Sequence, residues 1–289
     1  MKKKEFFKYA KKAWIKENIA FFFLEKVTGL QKKELFFLEE IDDKYLEILQ
    51  KYFSRYKLWE PLEYILQKAE FFSLEFFVDS RVLIPRNDTE ILVEKAIEEI
   101  NKNKKNILID VWTGSACIPI SIAKNTKNIE KIFAIDISKE ALEVAKINIK
   151  KHSSEDKIKL INSNLLENFE LNIDFFKNWN IENLIITANL PYVKNWDFEN
   201  MDEETVKFEP DVALYWWEKT GFELYEKLTF QILDLKNNFF NNKELGVVLF
   251  IEIWFDQKKV AVDFLQKNNL QFNIFKDNSW IDRCIKIYF

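Results

Sequence analysis

From Asp88 onward, apolar runs too short to be helices alternate with longer stretches of helical periodicity. The runs predict strands at 107–111, 132–135, 158–161, 184–188 and 247–253. The stretches among them predict helices at about 88–100, from 116, at 139–150, at 222–235 and from 257. Two more short strands, near 272–275 and 284–288, end the chain. Strands joined through a helix do not form hairpins; they run parallel, and their crossovers cover both faces of the sheet. The order therefore demands an α/β fold, and in an open sheet of this kind ligands bind at the carboxyl ends of the strands.

The residues before this region follow another pattern. From Lys2 to about Gln67, apolar residues recur at helical spacing, as in Leu35, Phe36, Leu38 and Ile41 and again in Tyr45, Leu46, Ile48 and Leu49. A helical domain is expected over 1–70, then a hairpin linker over 71–87, where apolar runs are broken by Ser73 and by Asp79-Ser80, then a second domain over 88–289. At 289 residues, 48% hydrophobic and 31% charged, the composition is that of an ordinary globular protein. A net charge of −4 supplies no basic field for holding nucleic acid by its phosphates, so a protein or small-molecule partner fits better. The basic start is interrupted by charge before any apolar stretch of signal-peptide length, and no run nears the ~18 residues of a membrane span, so a cytoplasmic protein is expected. Cys117 and Cys284 lie far apart, and the only histidine, His152, stands in a charged stretch. Neither a metal site nor a Cys/His nucleophile is expected, and the thiols read as buried and inert.

Two clusters at strand ends carry chemistry. Asp110, the Thr113-Gly114-Ser115 turn and Asp136 form the first. An acid ending the second strand can accept hydrogen bonds from ribose hydroxyls, while the turn after the first strand lets backbone approach the ligand. The turn has no phosphate-cradling glycine-rich loop followed by lysine, which argues against an ATPase. The second cluster is Ala188-Asn189-Leu190-Pro191-Tyr192, at the end of an apolar strand. It offers an amide oxygen, a backbone carbonyl fixed by proline and an aromatic face. Two carbonyl oxygens can accept both hydrogens of a planar NH2 group and aim its lone pair at an electrophile.

With these segments the chain resembles the glutamine-N5 methyltransferases of peptide chain release factors. The resemblance extends over almost the whole sequence. It rests on Trp59-Glu-Pro-Leu-Glu-Tyr-Ile, Leu83-Ile-Pro-Arg-Asn-Asp-Thr-Glu, the turn from Asp110 to Ile120, Asn189-Leu-Pro-Tyr, Glu209-Pro with Ala213-Leu214, Glu252-Ile-Trp-Phe-Asp-Gln, and Ile281-Asp-Arg. It implies a class I, Rossmann-like α/β fold with a mostly parallel seven-stranded sheet behind a small helical domain that recognises substrate. The implied cofactor is S-adenosyl-L-methionine, bound by Asp110, Trp112, Thr113, Gly114, Ser115, Ala116, Asp136, Leu165 and Asn189. Asn189, Pro191 and Tyr192 are the implied catalytic residues, and Asn189, Leu190, Pro191 and Tyr192 hold the substrate amide. The implied partners are class I release factors, methylated on the glutamine of their Gly-Gly-Gln loop, with no membrane or direct nucleic-acid contact and with the enzyme a monomer. Arg86 and Glu90 have two open readings, pairing within the loop or touching substrate. Leu190 stands where the family has proline, and Asn164 where an acid is common.

Two other functions stay open. Asn-Leu-Pro-Tyr also suits an exocyclic base amine, as in an adenine-N6 methyltransferase acting on RNA or DNA. Alternatively, an indole at position 112 could block the cofactor and leave an inactive binding module.

The chain has nine tryptophans and only four glycines. Trp112 falls where an apolar strand turns sharply into a helix, a junction that suits a residue without a side chain. Trp196, the Trp216-Trp217 pair and Trp280 also sit in turn-like sequence. In the family pattern glycine stands at 59, 112, 216, 217, 254 and 280. Gln67 and Ala116 occupy glycine-like positions without being tryptophan. The expectation is that UGA codons, read as glycine in some bacterial lineages, appear here as tryptophan.

Overall fold

The computed structural model describes residues 1–102, 104–167, 169, 181–191, 207–214, 220–239 and 245–289. The chain divides into two compact units, 1–67 with 203–208, and 68–202 with 209–289.

The first unit holds helices α1 (Lys3–Lys12), α2 (Glu17–Thr28), α3 (Lys32–Phe37), α4 (Asp43–Tyr56) and α5 (Leu62–Leu66). Their apolar stripes meet around Phe23, whose ring centroid lies 6.1 Å from that of Phe53, itself 5.8 Å from Phe6. Leu24, Leu35, Ile41 and Leu49 are buried with them. Phe36 is exposed: adjacent helical residues point about 100° apart, and Leu35 takes the inward position. Arg55 ties α4 to α5, pairing with Glu60 at 2.5 Å and donating to the carbonyl of Tyr64 at 2.9 Å. Helix α2 stops at Gly29, whose φ of 72° gives the left-handed C-cap that glycine adopts without steric cost.

The second unit opens with a hairpin tighter than the expected linker. Strands β1 (Ala69–Phe71) and β2 (Leu74–Phe76) join through Phe72 and Ser73, at φ 49° and 59°. Glu90 holds this turn, accepting from the Phe72 N–H at 2.8 Å. A seven-stranded sheet follows, in the order β5-β4-β3-β6-β7-β9-β8. Its strands are β3 (Asn106–Val111), β4 (Ile129–Asp136), β5 (Ile158–Asn162), β6 (Asn183–Ala188), β7 (Gly246–Glu252), β8 (Gln271–Lys276) and β9 (Asp282–Tyr288). The first five pair in parallel, while β9 runs antiparallel to both β7 and β8. Every residue of β3 and β6 is buried, which explains why these strands read as continuous apolar runs rather than alternating ones. Helices α6 (Glu90–Ile100), α7 (Cys117–Asn125), α8 (Lys139–Lys151), α9 (Glu223–Phe239) and α10 (Lys258–Lys267) supply the cover. The apolar side chains gather into two cores, one with residues of α6, α7 and α8 and the other with residues of α9 and α10.

One buried side chain on α8 stitches distant segments together. Asn148 accepts from the Phe77 N–H at 2.7 Å and donates to the carbonyls of Phe77 and Ser115, each at 2.9 Å. Asn148→Ala strands three backbone groups, and an expected loss of about 2–3 kcal/mol will be read as a lower urea midpoint with an unchanged slope. Among the described residues no helix is long and apolar enough to cross a membrane.

Among the described residues, eleven non-glycine residues have a positive φ, Trp14, Trp59, Gln67, Trp112, Ala116 and Trp280 being six of them. A side chain in this left-handed region crowds the following carbonyl and costs roughly 1–2 kcal/mol.

Candidate active site

The strand order reverses between β3 and β6, since β4 and β5 lie to one side of β3 while β6 and β7 lie to the other. Such a switch point opens a crevice at the carboxyl ends of the two central strands. The register pairs Val111 with Ala188. Trp112 and Asn189, the next residues, therefore leave the sheet side by side. The two clusters read from the sequence meet here.

After β3 the chain takes a left-handed conformation at alternate residues, with φ 68° at Trp112, 53° at Gly114 and 63° at Ala116. Alternation of this kind folds the backbone tightly enough to turn N–H groups outward, in the manner of an anion-binding nest. The turn is pinned from both sides: Thr113 donates its N–H to the Ile135 carbonyl at 2.9 Å, and Gly114 donates to Asp136 Oδ2 at 2.8 Å. Asp136 Oδ1 accepts from the Ser138 N–H at 2.9 Å. The Asp136 carboxylate is thus fixed, and each oxygen keeps a second lone pair for a hydroxyl donor. Burial pushes its pKa up to about 6, against the pull of the backbone N–H groups of Gly114 and Ser138. Asp110 lies deeper, completely buried on β3, and accepts from the Thr187 hydroxyl at 2.6 Å. Burial raises its pKa to about 7, opposed by that hydroxyl and reinforced by the negative charge of Asp136.

Asn189 is half-buried, and its Nδ2 donates to the Thr89 hydroxyl oxygen at 3.3 Å. This leaves the amide oxygen as the acceptor turned to other partners. The backbone beyond is held by Tyr225, whose phenol oxygen accepts from the Leu190 N–H at 3.0 Å and donates to the Glu252 carbonyl at 2.6 Å. Thr89 sits in a short 3-10 turn anchored through Asp88. Asp88 pairs at 3.1 Å with the buried Arg283, which also reaches Asp277 at 3.1 Å and the Ile253 carbonyl at 3.3 Å. Segments far apart in sequence, 83–90, 252–257 and 281–283, are thereby bound into one support for the site. Arg86 pairs with Glu209 at 2.5 Å and also lines the cavity described below, while Glu90 serves the hairpin turn.

One cavity is lined by Trp112, Thr113, Gly114, Ser115, Asp136 and Asn189, with Thr89 and Ser138 beside them. Ala116, Leu165, Leu190 and Pro191 are buried and stand off its wall, as does Asp110; Tyr192 lies outside the described residues. Thr89, Ser138, Thr187 and Tyr225 were not singled out from the sequence. Only Thr89 had a signal, its place in the 83–90 segment. Cys117 reaches the cavity but its thiol is pushed up to about 12 by burial, so it is no nucleophile at neutral pH. No group of three His, Cys, Asp or Glu gathers as metal ligands among the described residues.

Comparison with known proteins accords with this geometry. A model described as a methyltransferase domain matches residues 93–178. A release factor glutamine methyltransferase from Flavobacterium psychrophilum is 33% identical over 280 residues, 94% of this chain and 92% of that protein. One from Dictyoglomus turgidum is 35% identical over 218 residues, 75% of this chain and 72% of that protein. The chain belongs to the release factor glutamine methyltransferase family. As a family member it is an enzyme, a methyltransferase dependent on S-adenosylmethionine, and its mostly parallel seven-stranded sheet is the class I fold expected from the sequence. The fold is also that of the hMettl16 catalytic domain, solved in complex with a MAT2A 3′UTR hairpin, at 12% identity and a TM-score of 0.54 over 86% of this chain and 80% of that one.

The polar groups suit the family's methyl donor: Asp136, which lines the cavity, offers spare lone pairs toward a ribose. The side chain at 112 does not suit it. The cavity, with the indole in its wall, has about 50 Å³ of water-accessible space, small beside the roughly 300–1,000 Å³ of small-molecule sites.

Proposed function

We propose that the chain transfers a methyl group from S-adenosylmethionine to the side-chain amide nitrogen, N5, of the glutamine in the Gly-Gly-Gln loop of class I peptide chain release factors. It acts as a cytoplasmic monomer on a protein substrate, without direct nucleic-acid contact, and the helical unit grips the factor. The observation that carries this reading is Asn189, beside the 112–116 turn, with its nitrogen engaged by Thr89 and its oxygen left to accept.

When bound, the cofactor supplies an electrophilic methyl group on a sulfonium. Residues 112–115 of the turn and Asp136, which line the cavity, would hold it, with Asp110, Ala116 and Leu165 behind them. An amide nitrogen is a poor nucleophile, because its lone pair is delocalised into the carbonyl. Asn189 Oδ1 and the backbone carbonyl of Leu190 or Pro191 accept its two N–H groups, fix the plane of the amide and stabilise the positive charge that grows on nitrogen. The family resemblance assigns Tyr192 the role of packing on that plane. No strong base is required. The nitrogen becomes acidic once it is alkylated, and its proton leaves to water.

The fold shared with an RNA-bound methyltransferase domain speaks to architecture alone, and a net charge of −4 disfavours an RNA substrate. Peptide mass mapping of a methylated release factor tests the reading: the added methyl is expected on the Gly-Gly-Gln glutamine, and a methyl on any other residue contradicts it.

A further inference from the structure

We propose that residues 14, 59, 112 and 280 are glycine in the working protein. Five of the tryptophans lie in the described residues, and four of them have φ between 60° and 68°. Three of the four glycines have the same conformation, Gly29 at 72°, Gly114 at 53° and Gly221 at 70°. Left-handed backbone is found in only a few per cent of non-glycine residues, and a bulky side chain there is an outlier. Four such outliers of one residue type do not arise site by site.

The indoles gain nothing where they stand. Trp14 is 91% exposed, Trp59 69% and Trp280 81%, although an indole normally contributes by burying most of its surface. Trp112 is the reverse case, 8% exposed and forming part of the wall of the cavity whose other walls suit the methyl donor. Removing four side chains satisfies the backbone at each turn, clears three apolar groups from the surface and converts the 112–116 turn into one with glycine at two of its three left-handed positions. At these four positions the backbone has the shape of a glycine turn. UGA is the codon that joins the two residues, since it is assigned to tryptophan in some genetic codes and to glycine in others. Trp254 stands apart: its φ is ordinary, its N–H is accepted by Gln257 at 2.9 Å and its ring lies under Arg283, so the backbone does not ask for glycine there.

The cavity part of this inference rests on the proposed function, and the backbone part does not; two measurements separate them. First, Trp14→Gly, Trp59→Gly and Trp280→Gly are each compared with the literal chain by thermal melting. Each is expected to raise the midpoint by about 2 °C, and a fall at all three overturns the proposal. Second, Trp112→Gly is titrated with S-adenosylmethionine by calorimetry. Affinity is expected to rise at least about tenfold, or about 1.4 kcal/mol. Higher melting points with no cofactor binding would leave the glycine assignment standing and remove the methyltransferase reading. Finally, TGA in the gene at these codons and glycine in the tryptic peptides of the native protein are expected; TGG, with tryptophan in the peptides, contradicts the assignment outright.

Discussion

Asn189→Ala, made in the Trp112→Gly protein, is expected to lower kcat for methyl transfer by about 10²–10³-fold, as when one donor or acceptor aimed at developing charge is removed. The loss falls on kcat because the amide oxygen is needed most as positive charge grows on the substrate nitrogen, and interactions stronger in the transition state than in the ground state appear there. Cofactor affinity should change by less than about tenfold, since the main polar groups facing the cofactor belong to the 112–116 turn and Asp136. Thr89→Val separates positioning from contact. The hydroxyl that engages Asn189 Nδ2 is lost, so the amide can flip and present N–H groups where an acceptor is required. A smaller loss in kcat with cofactor binding unchanged is expected; an equal loss in both would make Thr89 part of the cofactor site instead. Rapid-quench measurement of a single turnover reads the chemical step directly.

The second large effect is on pH. Asp136 and Asp110 have folded-state pKa values of about 6 and about 7, raised from 3.8 by burial. In the unfolded chain both ionise near the ordinary value, so the folded protein holds the extra protons between about pH 4 and 7. Stability is therefore greatest, as far as these groups are concerned, below pH 4, and it falls as pH rises through the window, by about 3 kcal/mol for Asp136 alone. Cofactor binding runs the other way. Ribose hydroxyls donate to the carboxylate, so affinity should hold above about pH 6 and weaken toward tenfold per pH unit below it. Urea midpoints and calorimetric titrations across pH 4.5–8 should slope in opposite senses, and Asp136→Asn should flatten the binding slope and reduce the stability slope to the part that Asp110 supplies. Parallel slopes would show that the buried carboxylates do not control the site.

Much of the fold was legible because its central strands β3 and β6 are buried on both faces. Runs such as 107–111 and 184–188 have no helical spacing to confuse them, and their alternation with helices settles the parallel pairing. The hairpin was less legible: 71–87 was expected, and the paired residues end at Phe76, because Val78 and Val82 are as apolar as a strand yet lie outside the β1–β2 ladder, with the Val82 N–H bonded to the Asp79 carbonyl in a turn. The assignment of residues 203–208 to the first unit had no local signal at all. At the site, strand-end acids and Asn-Leu-Pro-Tyr stood out because their polar groups interrupt apolar runs. Thr89, Asn148, Tyr225 and Arg283 did not, since each acts through a partner remote in sequence: Thr89 and Asn189 are 100 residues apart, Arg283 and Asp88 are 195 apart. The glycine-like positions Gln67 and Ala116, given by the family resemblance, do carry left-handed backbone, at φ 54° and 63°; Leu165 does so too, at 52°, with no such indication.

The central claim is that Asn189 orients a protein glutamine rather than a base. The direct measurement is transfer of labelled methyl from S-adenosylmethionine by the Trp112→Gly enzyme, offered a purified class I release factor and ribosomal RNA together. Label is expected in the release factor alone, and to vanish when its Gly-Gly-Gln glutamine is replaced. Label in the RNA, with the release factor unmodified, would contradict the account.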